Sequence, residues 1–514
     1  MNSATPKLVR QYTIVLCAAL VLYIVSCAPG LLWQDSGLIQ YRVWQNDIEG
    51  FLGLALSHPL FYILAIGVKY LPAGEFAYKV NLVSAIAAAV AVANVFLLVR
   101  LWLGRSFPAV IAAVTLALSH TFWRHACIAE TYTLWTALFT GELIMLLRYI
   151  RTDRVHYLYA LGFLNGLSIA VHILAVIPLA CYAAWLLSVR SQKELYRRDL
   201  AIVVLLWIAG ALPYEYLIVR NMIQTGEVAG VLSSAVFGRS WQGAVLNVSL
   251  SMKMAQENLL YILFNFPSPN ILLFFAGCFG VFKLSRPGGL RRVALGLLVL
   301  FFVFAFRYTV PDRYAFFIPF YCMVAILTGV GTCWLQDWTN HKAVASLVLL
   351  FGVLPVGIYA VAPTVVKRAP LDIGTRNDIP YRDDYSYFLQ PWKTGYRGAE
   401  RFAGEALRQV ANNAVIYADV TTVAPLLLEQ QVEGKRPDVA IISGTVNSKG
   451  APQFNEHTVA QLLEDRPIYV VSSRPRYCPA FVLREYDLVQ AGVLWRLVER
   501  RRDSNRQISN EVKQ

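Results

Sequence analysis

Hydrophobic positions along this chain do not alternate with polar ones; they come in unbroken blocks. "YTIVLCAALVLYIVSCAPGLLW" and "VNLVSAIAAAVAVANVFLLV" are each long enough to cross a bilayer core, which takes about 20 apolar residues in a helix. Blocks and polar breaks together predict eleven spans, at 12–33, 76–99, 107–120, 131–149, 157–171, 173–189, 200–219, 259–283, 292–306, 314–335 and 342–362. The fifth and sixth are short, because "YLYALGFLNGLSIAVHILAVIPLACYAAWLL" has to go out and back between two basic loops. The eighth contains "FPSPN" and is expected to be broken or to start late. Phe51–Leu71 is read as a segment lying on the surface, since His58-Pro59 interrupts it; as a span it would invert everything downstream. The first block exceeds a signal-peptide core and "CAPG" is a weak cleavage site, so it is read as retained.

After about Pro363 the pattern changes. "RNDIPYRDDYSYFLQPWKTGYRG" is polar and aromatic and reads as a linker or loop. Helix "AERFAGEALRQVA", strand "AVIYA", helix "TVAPLLLEQQVEG", strand "DVAIIS", helix "EHTVAQLLEDR" and strand "PIYVVSS" follow. Strands alternating with helical patterns imply parallel β with covering helices. The expected fold is therefore a polytopic α-helical membrane protein of about eleven transmembrane helices over residues 1–362. A C-terminal soluble α/β domain follows over 363–514. That domain has no GxGxxG and no P-loop, which argues against a nucleotide site. Its last run, "ERRRDSNRQISNEVKQ", is expected to be disordered.

Composition sharpens this picture. Of 514 residues 57% are apolar and 15% charged, where a soluble domain carries about a quarter charged. The net charge of +14 follows topology and does not point to nucleic acid. The loops with "KLVR", "RLWLGR", "RYIRTDR", "RSQKELYRR", "KLSRPGGLRR" and "HK" hold roughly 16 basic residues, against about 9 on the other side. That places the amino terminus in the cytoplasm and the C-terminal domain outside. Of eight cysteines only Cys478 lies in the tail, so no disulfide is expected within it, and no Cys/His spacing suggests zinc.

Polar residues near membrane depth are costly and mark function, and here they gather on the outer face. The first outer loop has Asp35, Arg42, Asp47, Glu49 and His58; the second, "SHTFWRHACIAETY", has His120, Arg124, His125 and Glu130. His172 sits in the hairpin between spans five and six, and "RYTVPDRY" supplies Arg307, Asp312 and Arg313. Each has a plainer reading. The arginines suit snorkelling or a helix carbonyl end, Asp35 in "DSGL" suits an N-cap, and Asp47 and Glu49 suit a solvated face. Glu142, mid-span, and Glu215, near an outer end, are each consistent with simple pairing to a neighbouring helix. Together, an acid beside an apolar wall with arginines and histidines at one depth suits transfer of a group from a lipid phosphate. Cations take up the charge of the leaving phosphate, and a carboxylate removes the acceptor's proton.

Several short blocks resemble one family in order along the chain. They are "WQDSGLIQ", "SHPLFYIL", "FWRHACIAETYTLWTALF", "NGLSIAVHILAVIPL", "VPDRYAFFIPFY" and "EQQVEGKRPDVAII". The chain resembles the GT-C superfamily of polyprenyl-phosphate-sugar glycosyltransferases, within it the protein O-mannosyltransferase-like family of bacterial membrane proteins related to the animal plexin-type O-mannosyltransferases. The resemblance implies an inverting transfer of a sugar from a polyprenyl-phosphate donor to a protein or glycan hydroxyl on the outer face of the bacterial inner membrane. It implies Asp35 as catalytic base, with Glu130 orienting an acceptor hydroxyl or an arginine. Arg124, His125, Arg307 and Arg313 become candidates for the donor phosphate, and His58, His172 and Asp312 candidates for acceptor binding or support. Two departures stand out: the family's Glu three residues after the Asp is Leu38 here, and "HPPGYP" has become "HPLFYI". With no acidic pair in that loop, no metal site and no cofactor beyond the donor substrate are assigned, a divalent metal staying open. A lipid-linked sugar flippase, and an inactive lipid-binding scaffold, are the competing readings.

Overall fold

The computed structural model of the protein describes residues 4–189, 196–238, 241–283, 288–310, 312–339, 341–369 and 375–500. Of the terminal run read above as disordered, 499–514, Glu499 ends a strand and residues 501–514 lie outside the described residues, as does much of the basic loops at 190–195 and 284–287. The chain divides into two compact units. One comprises Met1–Pro29, Arg42–Leu371 and Tyr385–Gly395; the other comprises Gly30–Tyr41, Asp372–Asp384 and Tyr396–Gln514.

The first unit is helical because an apolar segment in lipid must pair every backbone N–H and C=O internally. In chain order its helices begin with α1 (Ala4–Ser26); α2 (Gln34–Trp44) straddles the division between the units. They continue with α3 (Pro59–Lys69), α4 (Phe76–Leu103), α5 (Ser106–Ala117), α6 (His120–Ala126), α7 (Tyr132–Thr152), α8 (His156–Val171), α9 (Val176–Val189) and α10 (Arg197–Thr225). After two short pieces, α11 (Val228–Phe237) and α12 (Gln242–Val245), come α13 (Met252–Asn265), α14 (Ile271–Gly280), α15 (Gly288–Arg307), α16 (Ile318–Trp338) and α17 (Lys342–Arg368).

Each of the eleven expected spans overlaps helix, but the first, expected over 12–33, stops at Ser26, and not all are full-length. Among the described residues seven helices are long and apolar enough to cross a membrane, and an eighth is reached if α5 and α6, bent by 69° at their junction, count as one. The protein is thus a polytopic helical membrane protein. The remaining expected spans are short or interrupted: α8, then α9 after its leading 3₁₀ turn, and the pair α13/α14. The last is divided at "FPSP", where Pro267 and Pro269 remove two amide donors and the helix stops at Asn265. Phe51–Leu71 forms a 3₁₀ turn at Leu54–Leu56 and the 11-residue α3, which starts where Pro59 supplies a pre-set first helical turn.

Close helix pairs meet through glycine. A Cβ on Gly166 of α8 would run into the Trp207 carbonyl of α10, and one on Gly210 into Phe163 of α8. Gly277 of α14 and Gly331 of α16 face each other's backbone in the same way. Small residues let backbones approach where lipid supplies no hydrophobic drive for association. The core between these helices is aromatic: Trp135 stacks on Phe139 at 5.1 Å, and both meet Phe301 edge-on.

In the second unit a five-stranded sheet has the order β2-β1-β3-β5-β4, with β1 (Val415–Tyr417), β2 (Ala440–Ile442), β3 (Ile468–Val470), β4 (Tyr486–Ala491) and β5 (Leu494–Glu499). Val415 lies opposite Ala440 on one side and Ile468 on the other, both parallel. The expected parallel pairing holds for β1, β2 and β3, and the sheet is extended by β4 and β5, which lie beyond the expected strands. They form an antiparallel hairpin that turns at Gly492 (φ 61°) and adds β5 antiparallel to β3. Val459 of the helix Glu456–Asp465 packs with Val415, Ile468, Val470 and Leu497 in the core. Residues 30–41 belong to this unit. Trp33 lies 5.6 Å from the Phe402 ring, its indole N–H donates to the Tyr396 hydroxyl at 2.5 Å, and the Gln34 amide donates to the Thr421 carbonyl.

Candidate functional site

Within the first unit, four of the sequence candidates are joined by two tyrosines. His58 precedes Pro59 at the start of α3 in a left-handed conformation (φ 52°, ψ 45°), a costly state for a residue with a side chain. Its Nδ1 lies 2.7 Å from the Val171 carbonyl. His172 ends α8 in extended conformation, and its Nδ1 accepts the Leu174 amide at 3.1 Å. The two rings are 5.0 Å apart. His172 lies 5.2 Å from the Tyr132 ring, Tyr132 lies 5.6 Å from His125, and His125 lies 6.0 Å from Tyr314. The Tyr314 hydroxyl accepts Nη1 of Arg124 at 2.9 Å. Burial, with Arg42 adding to it and the Val171 carbonyl opposing, holds His58 down at about 4, so it is neutral near pH 7.

Arg124 is the most unusual member. It is buried, and its guanidinium carbon lies 5.5 Å from the Tyr314 ring, 5.5 Å from Tyr387 and 5.1 Å from Phe388. Among the described residues it makes no ion pair, and its Nε has no hydrogen-bond partner. Aromatic faces attract a cation but do not neutralise it. Glu130, half-buried, is fixed through its backbone: its amide donates to the Ser84 hydroxyl and its carbonyl accepts from it, both at 2.9 Å. Glu130 and Asp312 are both electrostatic neighbours of Tyr132. Asp312 begins the 3₁₀ turn Arg313–Phe317, and burial with Asp312 nearby pushes the Tyr308 hydroxyl up to about 12.

The other arginines have partners of their own. Arg313 pairs with Glu257, donates from Nε to Asn258 at 2.8 Å, and reaches the cluster only through Tyr261, whose ring is 6.1 Å from Tyr314. Arg307 donates to the carbonyls of Val245 at 2.5 Å and Asn247 at 2.7 Å, at the carboxyl end of α12. Asp47 turns inward on its own loop, accepting the amides of Glu49 and Gly50, and Glu49 pairs with Arg220. Asp47 and Glu49 are thus both engaged structurally.

Asp35 belongs to the second unit. It is exposed in the first turn of α2, where a carboxylate complements the positive helix end, and it follows Gln34, which has a φ of 54°. Gly37 holds this turn close: a Cβ there would strike the Leu32 carbonyl and come within 3.3 Å of Ala424. Leu38, in the place of the expected glutamate, is buried. Among the described residues no group of three or more His, Cys, Asp or Glu side chains is arranged to hold a metal ion.

Residues 56–195 match the family model described as the protein O-mannosyl-transferase TMEM260 N-terminal domain. The protein O-mannosyl-transferase TMEM260 of Mus musculus is 31% identical over 174 residues, 32% of this chain; the chain spans about a quarter (25%) of that relative's length. Among solved structures, ArnT from Cupriavidus metallidurans bound to undecaprenyl phosphate superimposes with a TM-score of 0.60 at 14% identity, covering 94% of this chain and 97% of that one. Its apo state gives 0.63 at 15% identity, covering 96% and 98%. Likeness at that identity concerns the fold. Residues 56–195 thus resemble the N-terminal domain of the protein O-mannosyl-transferase TMEM260, and the fold of the chain is similar to that of ArnT.

Proposed function

We propose that this protein is a membrane glycosyltransferase that moves a sugar, mannose by analogy with its relative, from a polyprenyl-phosphate donor to an acceptor hydroxyl on the outer face. In this reading Asp35 takes the proton of the acceptor hydroxyl, the acceptor oxygen bonds to the anomeric carbon, and the bond from that carbon to the phosphate oxygen breaks. The polyprenyl phosphate leaves with the electron pair from the opposite side of the sugar, so the anomeric carbon inverts. Arg124 takes up the charge of the leaving phosphate, His125 shapes its surroundings, and Arg313 acts at one remove through Tyr261. Glu130, His58, His172 and Asp312 hold the tyrosines and the acceptor side.

The observation that carries this reading is the buried guanidinium of Arg124, which forms no ion pair among the described residues and has Glu130 only as an electrostatic neighbour. It lies inside the segment that matches an O-mannosyl-transferase domain. A cation held out of water needs an anion, and a lipid phosphate is one that can approach from the membrane. The test is lipid mass spectrometry on cells carrying wild-type protein or Asp35→Asn at matched levels. Accumulation of one polyprenyl-phosphate sugar in the mutant alone identifies the donor. Matching lipid profiles would remove the transferase assignment and leave Asp35 a helix-end residue.

A further inference from the structure

Arg124 has a second buried cation beside it. Lys393 lies in the segment Tyr385–Gly395 of the first unit, and only 3% of its surface is exposed. Its ammonium lies 5.4 Å from the centre of the Tyr387 ring, the same ring that Arg124 approaches to 5.5 Å. The segment is pinned beside α6: the Lys393 amide donates to the Ser26 carbonyl at 2.7 Å, Thr394 donates to Val25 at 2.8 Å, and Trp392 packs 5.4 Å from Trp123.

Neither cation has an ion-pair partner among the described residues, and Arg124 has only Glu130 as an electrostatic carboxylate neighbour. Among the described residues the ammonium donates only to carbonyls of its own segment, those of Gln390, Trp392 (3.2 Å) and Pro391 (3.5 Å). Among the described residues no carboxylate forms an ion pair with Arg124 or with Lys393. Two further buried atoms of α6, Arg124 Nε and His120 Nε2, have no hydrogen-bond partner among the described residues. Buried polar atoms are nearly always satisfied, and a pair of buried like charges is doubly unfavourable. Burial first, and then Arg124, push the Lys393 ammonium well below its ordinary range. A fold that tolerates both cations is one built around an anion.

We infer that Lys393 and Arg124 form a single anion seat, roofed by Tyr387 and Phe388, that receives the phosphate of the lipid-linked donor. The inference rests on the function proposed above and adds a residue outside the segment that resembles the family. Lys393 is a binding residue in this scheme: its ammonium and the Arg124 guanidinium share the phosphate oxygens. Anion binding then favours the protonated ammonium, so the ligand brings a proton with it whenever Lys393 starts neutral.

The experiment uses the full-length protein in detergent and three probes: undecaprenyl phosphate, undecaprenol and inorganic phosphate. Affinity is read by native mass spectrometry or titration, and thermal stability is followed in parallel. Wild type is expected to prefer undecaprenyl phosphate to both other probes. Lys393→Met is expected to bind it about tenfold or more weakly, with undecaprenol unchanged, while Lys393→Arg stays within about threefold. Without lipid, Lys393→Met is expected to be at least as thermally stable as wild type, since it removes an unpaired buried charge. If Lys393→Met is less stable but binds undecaprenyl phosphate like wild type, Lys393 is only a knot in its segment and the inference fails, with the transferase reading intact. A wild type that prefers inorganic phosphate, or does not distinguish undecaprenyl phosphate from undecaprenol, overturns the donor assignment and the inference with it.

Discussion

His58 and His172 stand ring to ring at 5.0 Å and use the same nitrogen in opposite senses. Nδ1 of His58 faces the Val171 carbonyl, which can only accept, so it carries the proton; Nδ1 of His172 accepts the Leu174 amide, so it does not. The pair is therefore two neutral imidazoles of opposite tautomer. Burial holds His58 near 4, and burial followed by His58 itself pushes His172 well below its ordinary range.

Acid should loosen this pair. The folded state binds fewer protons than the unfolded chain, whose histidines titrate near 6.5, so the stabilisation is complete above about pH 6.5 and is lost as pH falls towards 4. For His58 the full loss is at most about 3 kcal/mol. Thermal melts of the detergent-solubilised protein at pH 7.5 and 5.0 should show a drop that is smaller in His58→Gln. An equal drop in that variant would place the acid sensitivity elsewhere.

Asp35 and Arg124 should fail differently. A general base contributes about 10²- to 10⁴-fold, so Asp35→Asn is expected to lose transfer by that factor while still binding undecaprenyl phosphate. Arg124→Gln is expected to lose binding as well, and Arg124→Lys to recover little, because a lysine cannot keep both the Tyr314 bond and a bidentate phosphate contact. Purified variants assayed with a synthetic polyprenyl-phosphate sugar separate the two effects. Full activity in Asp35→Asn would end its assignment as base.

Glycine spacing makes a prediction about packing. Gly166→Val and Gly331→Val each push a side chain into the backbone of the neighbouring helix, Trp207 and Leu273 respectively. Overpacking of this kind costs about 1–3 kcal/mol or more, and both variants are expected to melt earlier and reach the membrane in lower amounts. Gly357 has nothing within 4 Å of its missing Cβ, so Gly357→Ala should be neutral or slightly stabilising. If all three behave alike, the close crossings do not carry helix association.

Long apolar runs made the membrane half legible, since lipid allows those residues little except helix. The break at "FPSPN" was legible too, because proline acts locally. The bend between α5 and α6 was not. "LSHTFW" has no glycine or proline, and the amide of Thr121 is satisfied by Asn265, which lies 144 residues further along. Lys393 was hidden for the same reason: "QPWKTGY" reads as a polar linker, and its burial depends on distant partners, Trp123 against Trp392 and the end of α1 against Lys393 and Thr394. The β4–β5 hairpin had a signal, a Gly492 turn between two alternating runs, which the parallel pattern before it obscured. The grouping of residues 30–41 with the second unit had no signal, since it depends on Trp33 meeting Phe402 and Tyr396.

The second unit has its own buried charge, and here the pairing is complete. Arg376 is 4% exposed, pairs with both Asp378 and Asp419, and stacks at 3.6 Å on Tyr477. Its backbone amide donates to Asp384 at 2.7 Å, and Ser472 donates to Asp378 at 2.5 Å. Asp419 also accepts the amides of Thr421 and Thr422 at the start of the helix Val423–Val432. Residues 376–384 are thereby tied to the ends of β1 and β3. Burial raises Asp378, but the bonds from Arg376 and Ser472 outweigh it and leave its carboxyl below the usual range. Arg376→Met would strand two buried carboxylates, an expected cost of about 3–5 kcal/mol, whereas Asp378→Asn leaves Arg376 with Asp419 and should cost less. Limited proteolysis of the full-length protein reads this directly: Arg376→Met should open the second unit to cleavage well before Asp378→Asn does. Equal resistance in the two variants would mean that the Tyr477 stack and the sheet contacts, not the ion pairs, hold the segment in place.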